Sequence, residues 1–305
     1  MAKLTDIVSV WDGVPRGDVL YLIAGSDQLT EERAPHTMLI EFRERTRGVA
    51  TLEWTARDIA ADPDSPGVLV LGLHGQVARF LAGRIDSLPP IAGPPPASPR
   101  GTLLYLGYAG PHLMACGGNQ QVYRYGAGGL WTRQEEGVTP PRDGGLTQFE
   151  FVVGDADGGQ LYTGGARGEA WHWIEQRWQS LDMPTNVRLV SARRAPDGRW
   201  WIAGQVGTIL RGSGTAWEEV HRDDAIPYFW DLAFFRDDLF LTAGKLLYRW
   251  RDGQLDPVNF GDDTLYEEGP IPYSFYKFGV TEDRLYTFGA KDIMSFDGAQ
   301  WVRIV

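Results

Sequence analysis

The chain has 305 residues, among them 38 Gly, 12 Trp and 1 Cys, and its formal net charge is −11. This acidity excludes nucleic acid and anionic membranes as expected partners, because both need a basic surface, and a single cysteine excludes an internal disulfide framework. The chain has no apolar run of about 18 residues and no basic-then-apolar start typical of a signal peptide. We therefore expect a cytosolic protein without a membrane anchor, unless a leader has been removed.

Seven similar units follow one another along the chain. In each, an apolar run ends in one or two glycines, and a tight turn and a further apolar run follow. The runs are DVLYLIAG (18–25), GVLVLG (67–72), HLMACGG (112–118), QLYTGG (160–165), RWWIAG (199–204), DLFLTAG (238–244) and RLYTFG (284–289). The corresponding glycines lie 40 to 47 residues apart, and a period of roughly 40–50 residues made of short strands is typical of a β-propeller.

Each unit divides into four strand-length runs. In the fifth unit these are NVRLVSARRAP (186–196), RWWIAG (199–204), TILRGS (208–213) and AWEEVH (216–221). Runs of β-branched and aromatic residues between Gly- and Asp-rich turns indicate strands. We predict an all-β fold, a seven-bladed β-propeller with four antiparallel strands per blade, forming a single domain over residues 1–305. The predicted blades span approximately 6–54, 55–90, 101–139, 147–183, 186–222, 228–260 and 273–305.

Several predicted fourth strands open with tryptophan, at Trp131, Trp178, Trp217 and Trp301. We interpret these rings as wedges between adjacent sheets, because an aromatic ring buries a large area there. The segments IAGQVGTILRGSGTAW (202–217) and FGAKDIMSFDGAQW (288–301) resemble BNR-type and photosystem II assembly-factor-like propeller repeats. The resemblance implies the propeller architecture. The sialidase-type Asp box, S-x-D-x-G-x-[ST]-W, is intact in no repeat, so the resemblance does not carry an enzymatic activity with it.

Long connections interrupt the repeat and are the first places to look for function, because loops on a rigid scaffold carry binding sites. They are segments 26–36, 86–101, 134–145, 221–230 and 260–276. The proline-rich segment 86–101 is either a stiff spacer or a polyproline ligand for a partner. The last two segments should lie side by side on one face, because both connect neighbouring blades.

Segments 221–230 and 260–276 combine acidic and aromatic side chains. Aromatic anchors with an acidic rim suit a protein partner that has a basic surface, because the rings supply affinity and the charge steers encounter. In the alternative interpretation several of the aromatic residues fill the core and the acids are merely solvated. The predicted partner-binding residues are Asp223, Asp224, Tyr228, Trp230, Asp262, Asp263, Tyr266, Glu267 and Glu268.

Catalytic and metal-binding motifs are absent from the sequence. We find no phosphate-binding loop, no G-x-S-x-G and no H-E-x-x-H. The acid pairs Asp62/Asp64 and Asp155/Asp157 could bind Ca²⁺, but they lie in predicted hairpin turns, where Asp is expected for turn formation. We therefore expect no catalytic residue, no metal and no cofactor.

The sequence thus predicts a non-catalytic protein-binding propeller that is a monomer on its own. An immunity protein that neutralises a toxin, or an assembly factor, fits this description. The alternative is a propeller enzyme of the sialidase, lyase or lactonase kind with its site at the mouth of the channel. A deep pocket with convergent arginines or acids would favour the enzyme, whereas a broad acidic and aromatic face would favour the binding protein.

Overall fold

The structure is a computed structural model that describes residues 7–43, 47–91, 101–139, 147–260 and 274–305. Its strands form seven separate sheets of four antiparallel strands, which confirms the predicted seven-bladed propeller. Blades 1 and 2 consist of β1 (Val8–Arg16), β2 (Val19–Ser26), β3 (Thr37–Phe42), β4 (Arg47–Leu52), β5 (Ala56–Ala61), β6 (Val68–Gly72), β7 (Val77–Leu81) and β8 (Arg84–Leu88). Blades 3 and 4 consist of β9 (Leu103–Ala109), β10 (His112–Gly117), β11 (Gln121–Tyr125), β12 (Trp131–Arg133), β13 (Phe149–Gly154), β14 (Leu161–Gly165), β15 (Ala170–Ile174) and β16 (Arg177–Ser180).

Blades 5 to 7 complete the ring. They consist of β17 (Leu189–Arg194), β18 (Trp200–Gly204), β19 (Ile209–Ser213), β20 (Ala216–His221), β21 (Asp231–Phe235), β22 (Asp238–Ala243), β23 (Leu246–Arg251), β24 (Gln254–Pro257), β25 (Lys277–Val280), β26 (Leu285–Phe288), β27 (Ile293–Phe296) and β28 (Trp301–Arg303). Helical structure in the described residues is limited to α1 (Asp27–Glu31) and two 3₁₀ turns, Ala127–Gly129 and Ala166–Gly168. None of the described helices is long and apolar enough to cross a membrane.

The second strand of a blade lies inside its sheet and between two neighbouring blades, which explains its apolar composition. Strands β6, β14 and β18 are buried along their whole length. The glycines that end these runs are required by close approach. A Cβ at Gly165 would lie 1.8 Å from the backbone oxygen of Gln148. A Cβ at Gly289 would lie 1.5 Å from the backbone oxygen of Ser274. The repeating glycine therefore lets the second strand pass against the chain that enters the first strand of the same blade.

Every blade is built from four consecutive strands, so the ring closes without exchange of a strand between blades 1 and 7. Val8 and Val10 of blade 1 pack with Phe288 and Ile293 of blade 7 in one buried cluster. The backbone N–H of Val10 donates to the carbonyl of Ala290 at 3.0 Å. Lys291 Nζ donates to the carbonyl of Val8 at 3.0 Å. Side-chain packing and a few hydrogen bonds therefore close the ring.

The tryptophans of the fourth strands lie between neighbouring blades, as the sequence predicted. Trp178 packs against Ala109, Met114 and Cys116 of the preceding blade and is 1% exposed. Trp131, Trp217 and Trp301 belong to the clusters that join blades 2 and 3, 4 and 5, and 6 and 7.

Two of these tryptophans differ in one hydrogen bond, and this difference gives a matched test. Trp178 Nε1 donates to the carbonyl of Gln134 at 2.7 Å, whereas Trp131 Nε1 is buried with no acceptor among the described residues. Trp178→Phe should lower the free energy of unfolding by about 1 kcal/mol, because the half-buried carbonyl of Gln134 loses this hydrogen bond. Trp131→Phe, the control, removes an unpaired donor and should cost less. Equal losses in urea unfolding would show that ring volume rather than the hydrogen bond matters.

Candidate functional site

The connection between blades 5 and 6 is fastened to both blades by its backbone. The carbonyl of Pro227 accepts from the N–H of Val206 at 3.0 Å, and the N–H of Phe229 donates to the carbonyl of Gly204 at 3.2 Å. The N–H of Trp230 donates to the carbonyl of Thr242 at 2.8 Å. These bonds fix the direction in which each side chain of the connection points.

The fixed backbone sorts the aromatic side chains of this connection into core and surface. Phe229 is fully buried, whereas Tyr228 and Trp230 are 42% and 46% exposed. Phe275, from the connection between blades 6 and 7, is also buried at 1% exposure. The alternative interpretation therefore holds for Phe229 and Phe275, which fill the core, whereas Tyr228 and Trp230 are exposed as a binding site would require.

These two exposed rings form a continuous cluster with the half-buried ring of Tyr276. We call this cluster the aromatic patch: Tyr228, Trp230 and Tyr276. The ring centres of Tyr228 and Trp230 are 6.3 Å apart. Those of Trp230 and Tyr276 are 5.4 Å apart, with an angle of 43° between the rings. Tyr276 belongs to blade 7, so the patch spans blades 6 and 7 on the face that carries the blade-to-blade connections. We call this side of the ring the loop face.

Acidic side chains accompany the aromatic patch. Asp223 and Asp224 are exposed in the same connection, and Asp223 Oδ1 accepts from the N–H of Ala225 at 2.9 Å. Arg222 lies 3.6 Å from Asp224 in a solvent-exposed ion pair. The remaining predicted site residues lie outside the described residues: Asp262, Asp263, Tyr266, Glu267 and Glu268. The partner-binding assignment of all nine residues stays a prediction.

A second feature, which the sequence analysis missed, is a cavity of about 420 Å³ on the propeller axis. It is lined by the ends of first strands that lead to the opposite side of the ring, which we call the hairpin face. Six side chains form what we call its polar floor: Asp12, Asp58, Tyr105, Arg193, Asp231 and Lys277. Nearer the opening lie Pro15, Ala61, Tyr108 and Val280, and the last two are 39% and 46% exposed.

Two aspartates of the polar floor tie neighbouring blades together. The carboxylate of Asp58 accepts from the N–H of Ile59 at 2.9 Å and from the N–H of Leu106, in the next blade, at 2.8 Å. In the same way Asp231 accepts from the N–H of Leu232 at 2.9 Å and from the N–H of Phe278, in the next blade, at 3.0 Å. Both carboxylates therefore use their two oxygens on the backbone of adjoining blades.

The charges of the polar floor act in opposite directions on two of its aspartates. Burial would raise the pKa of Asp231, but Arg193, at 3.3 Å, and Lys277 outweigh it and hold the pKa below its usual range. Burial, together with the charge of the neighbouring Asp58, raises the pKa of Asp12 well above its usual range. Burial alone would lower the pKa of Lys277, but the surrounding carboxylates raise it. Asp231 and Lys277 are thus held charged, and Asp12 is shifted toward its neutral form.

A weak signal for the polar floor was present in the sequence. An aspartate lies within three first strands, in W-D-G (11–13), R-D-I (57–59) and W-D-L (230–232). The acids of the hairpin turns, in contrast, behave as expected for turns. Asp62 Oδ1 accepts from the N–H of Asp64 at 2.9 Å, and Asp62 pairs with Arg79. Within the described ranges no group of three or more His, Cys, Asp or Glu residues could hold a metal ion.

Comparison with known proteins finds likeness both in sequence and in structure. The chain is 32% identical over 312 residues to the immune protein Tsi7 of Pseudomonas aeruginosa, covering all of this chain and 99% of Tsi7. Among solved structures it is similar to YCF48 bound to D1 peptide, with a TM-score of 0.66, 16% identity and coverage of 95% and 93% of the two chains. It is also similar to the WD40 β-propeller domain of Doa1, with a TM-score of 0.66, 11% identity and coverage of 97% and 91%. No protein-family profile matches the chain.

Proposed function

Because the chain belongs to the family of the immune protein Tsi7, we propose that it is an immunity protein that binds a protein toxin and neutralises it. The observation that carries this proposal is the likeness to Tsi7, which extends over the whole of both chains. A rigid propeller with connections of variable length on one face suits such a role, because loops can change while the scaffold is retained. The cytosolic location and the monomeric state remain predictions.

The loop face supplies the binding surface in this proposal. Its aromatic patch offers rings of large area on a fixed backbone, and such rings dominate the energetics of protein interfaces. The exposed Asp223 and Asp224 favour a partner with a basic surface, because opposite charges raise the rate of encounter. Toxin and immunity protein would thus meet through charge and be held by aromatic contacts.

The residues that line the cavity give little support to the alternative of a propeller enzyme. A glycosidase needs two carboxyl groups free to act on the substrate. In the polar floor, Asp58 and Asp231 already accept hydrogen bonds from the backbone of adjoining blades. We therefore propose a binding role without catalysis. The assembly-factor alternative has only fold-level likeness to YCF48, at 16% identity, and such likeness does not fix a function.

The test of the proposed function is neutralisation of a cognate toxin. The candidate toxin is the product of the gene adjacent to that of this chain, expressed under a tight promoter in a sensitive host. Co-expression of this chain should restore growth, and the two proteins should co-purify as a complex. Persisting toxicity and separate elution of the two proteins would contradict the proposal.

The charge of the loop face should control the rate of association. Asp223→Lys with Asp224→Lys should slow toxin association about tenfold at low salt, because attraction becomes repulsion. Added salt should slow the wild type in the same direction. The control is Asp157→Lys with Asp252→Lys, which changes the net charge equally at exposed positions of the hairpin face. Stopped-flow rates that fall equally in both variants would assign the effect to net charge rather than to this site.

A further inference from the structure

The axial cavity is separate from the surface that we assign to the toxin. The aromatic patch lies on the loop face, whereas the cavity opens on the hairpin face beside Tyr108 and Val280. Its volume of about 420 Å³ is within the range of roughly 300–1,000 Å³ typical of small-molecule sites. The cavity therefore has the size of a ligand site that the proposed function leaves unused.

Some groups of the polar floor have hydrogen-bonding capacity to spare. Lys277 Nζ has no hydrogen-bond acceptor and no ion pair among the described residues, although three carboxylates of the floor act on its charge. The Tyr105 hydroxyl makes no hydrogen bond to another described residue. Gly107 leaves room for this hydroxyl, since a Cβ there would lie 2.3 Å from the hydroxyl oxygen. An ammonium and a phenol thus face the cavity as donors.

The charge of the polar floor selects the chemistry of a ligand. Asp58 and Asp231 oppose Arg193 and Lys277, and burial shifts the third carboxyl group, Asp12, toward its neutral form by raising its pKa. Charges of both signs therefore line the cavity and nearly balance. An anion would be repelled by the carboxylates and a cation by the basic groups, so ionic ligands gain little. A neutral molecule with several hydroxyl groups suits such a lining, because each hydroxyl both donates and accepts.

The opening of the cavity complements the floor. Tyr108 and Val280 are partly exposed there, and Pro15 and Ala61 lie beside them. An apolar rim of this kind can pack against the C–H face of a sugar ring while the hydroxyl groups reach the floor. We propose that this cavity is a binding site for a neutral sugar or similar small polyol.

The experiment uses the full-length protein and a panel of neutral monosaccharides and disaccharides built from glucose, galactose and mannose. Saturation-transfer NMR should detect binding of at least one of them, and titration calorimetry should give a millimolar Kd or tighter. Glucuronate and glucosamine, which carry one charge each, should bind more weakly than the neutral sugar. Tyr105→Phe should weaken binding about three- to tenfold, as expected for one lost hydrogen bond, and Lys277→Met at least as much.

Toxin binding provides the control, because both variants leave the loop face unchanged. Each variant should keep the far-UV circular dichroism spectrum and the toxin affinity of the wild type. If Lys277→Met fails to fold, Tyr105→Phe alone tests the proposed sugar site. No signal from any sugar of the panel would overturn the proposal. So would binding that is insensitive to Tyr105→Phe, or a stronger response to a charged sugar. None of these results would affect the proposed immunity function.

Discussion

Replacing Trp230 by alanine is expected to weaken toxin binding by about 2 kcal/mol or more, roughly 30-fold in Kd. The ring is 46% exposed and is flanked by Tyr228 and Tyr276 at ring-centre distances of 6.3 and 5.4 Å. It is therefore the central member of the aromatic patch, and central aromatic residues carry most of the energy in interfaces. The measurement is the Kd of the purified pair by surface plasmon resonance or calorimetry.

The control for this variant is Tyr108→Ala. Tyr108 is a ring of similar exposure, 39%, but it lies at the opening of the axial cavity on the hairpin face. The Tyr108→Ala substitution should leave the affinity for the toxin unchanged. The Trp230→Ala loss should appear mainly as faster dissociation, because the substitution leaves the charges of the face intact. Wild-type affinity for Trp230→Ala would move the toxin site away from the aromatic patch.

The same chemical change should have opposite consequences at two positions of the polar floor. Asp231→Asn should lower the free energy of unfolding by about 3 kcal/mol at neutral pH, because it leaves Arg193 and Lys277 without their buried counter-charge. Asp12→Asn should cost less than about 0.5 kcal/mol or stabilise the protein, because the folded state already favours the uncharged carboxyl there. Urea unfolding of the three proteins, wild type and two variants, measures both effects.

The pH dependence separates the two effects further. The pKa of Asp231 is depressed in the folded protein. Its ionised carboxylate therefore stabilises the fold above the unfolded pKa of about 3.9, and this stabilisation is lost as the pH falls through the folded pKa. The penalty of Asp231→Asn should therefore shrink in acid. The pKa of Asp12 is raised, so its favourable contribution is present below about pH 3.9 and is lost as the pH rises through the folded pKa. The free energy of unfolding of Asp12→Asn should therefore increase relative to that of the wild type as the pH rises.

Equal destabilisation by Asp231→Asn and Asp12→Asn at every pH would contradict this account. It would mean that the two carboxyl groups are equally charged and equally needed. The hydrogen bonds that Asp231 accepts from the N–H groups of Leu232 and Phe278 would then contribute little to the stability of the fold. A loss of ring closure in either variant would be visible as a change in near-UV circular dichroism.

The periodic features of the fold were predictable because each is a local rule repeated seven times. A glycine such as Gly165 ends a second strand because any Cβ would collide with the chain beside it. A tryptophan such as Trp178 fills the gap between its own blade and the preceding blade. Both constraints act within a blade or between neighbouring blades, so they recur in every repeat and leave a periodic trace.

The polar floor left only a weak trace because its members come from separate blades. Asp12 and Lys277 are far apart in sequence, and they approach each other only when the ring is closed. The sequence also did not show which of the aromatic residues 228–230 are buried and which are exposed. Alternation along an extended segment says that Phe229 points away from Tyr228 and Trp230. Which side faces the core follows from the pairing of Tyr228 with Gln205 in the neighbouring blade.

The closure of the ring without a shared strand bears on when the protein becomes able to act. Val8 and Val10 of the first blade find their packing partners in Phe288 and Ile293 of the last blade. Contacts of such sequence separation form late in folding. Blades 1 to 6 can be assembled in the order of translation, but blade 1 keeps one apolar side uncovered until the final blade arrives. Protection of the cell by this protein thus requires blade 7, and a product that lacks this blade would expose the surface of blade 1 that Phe288 normally covers.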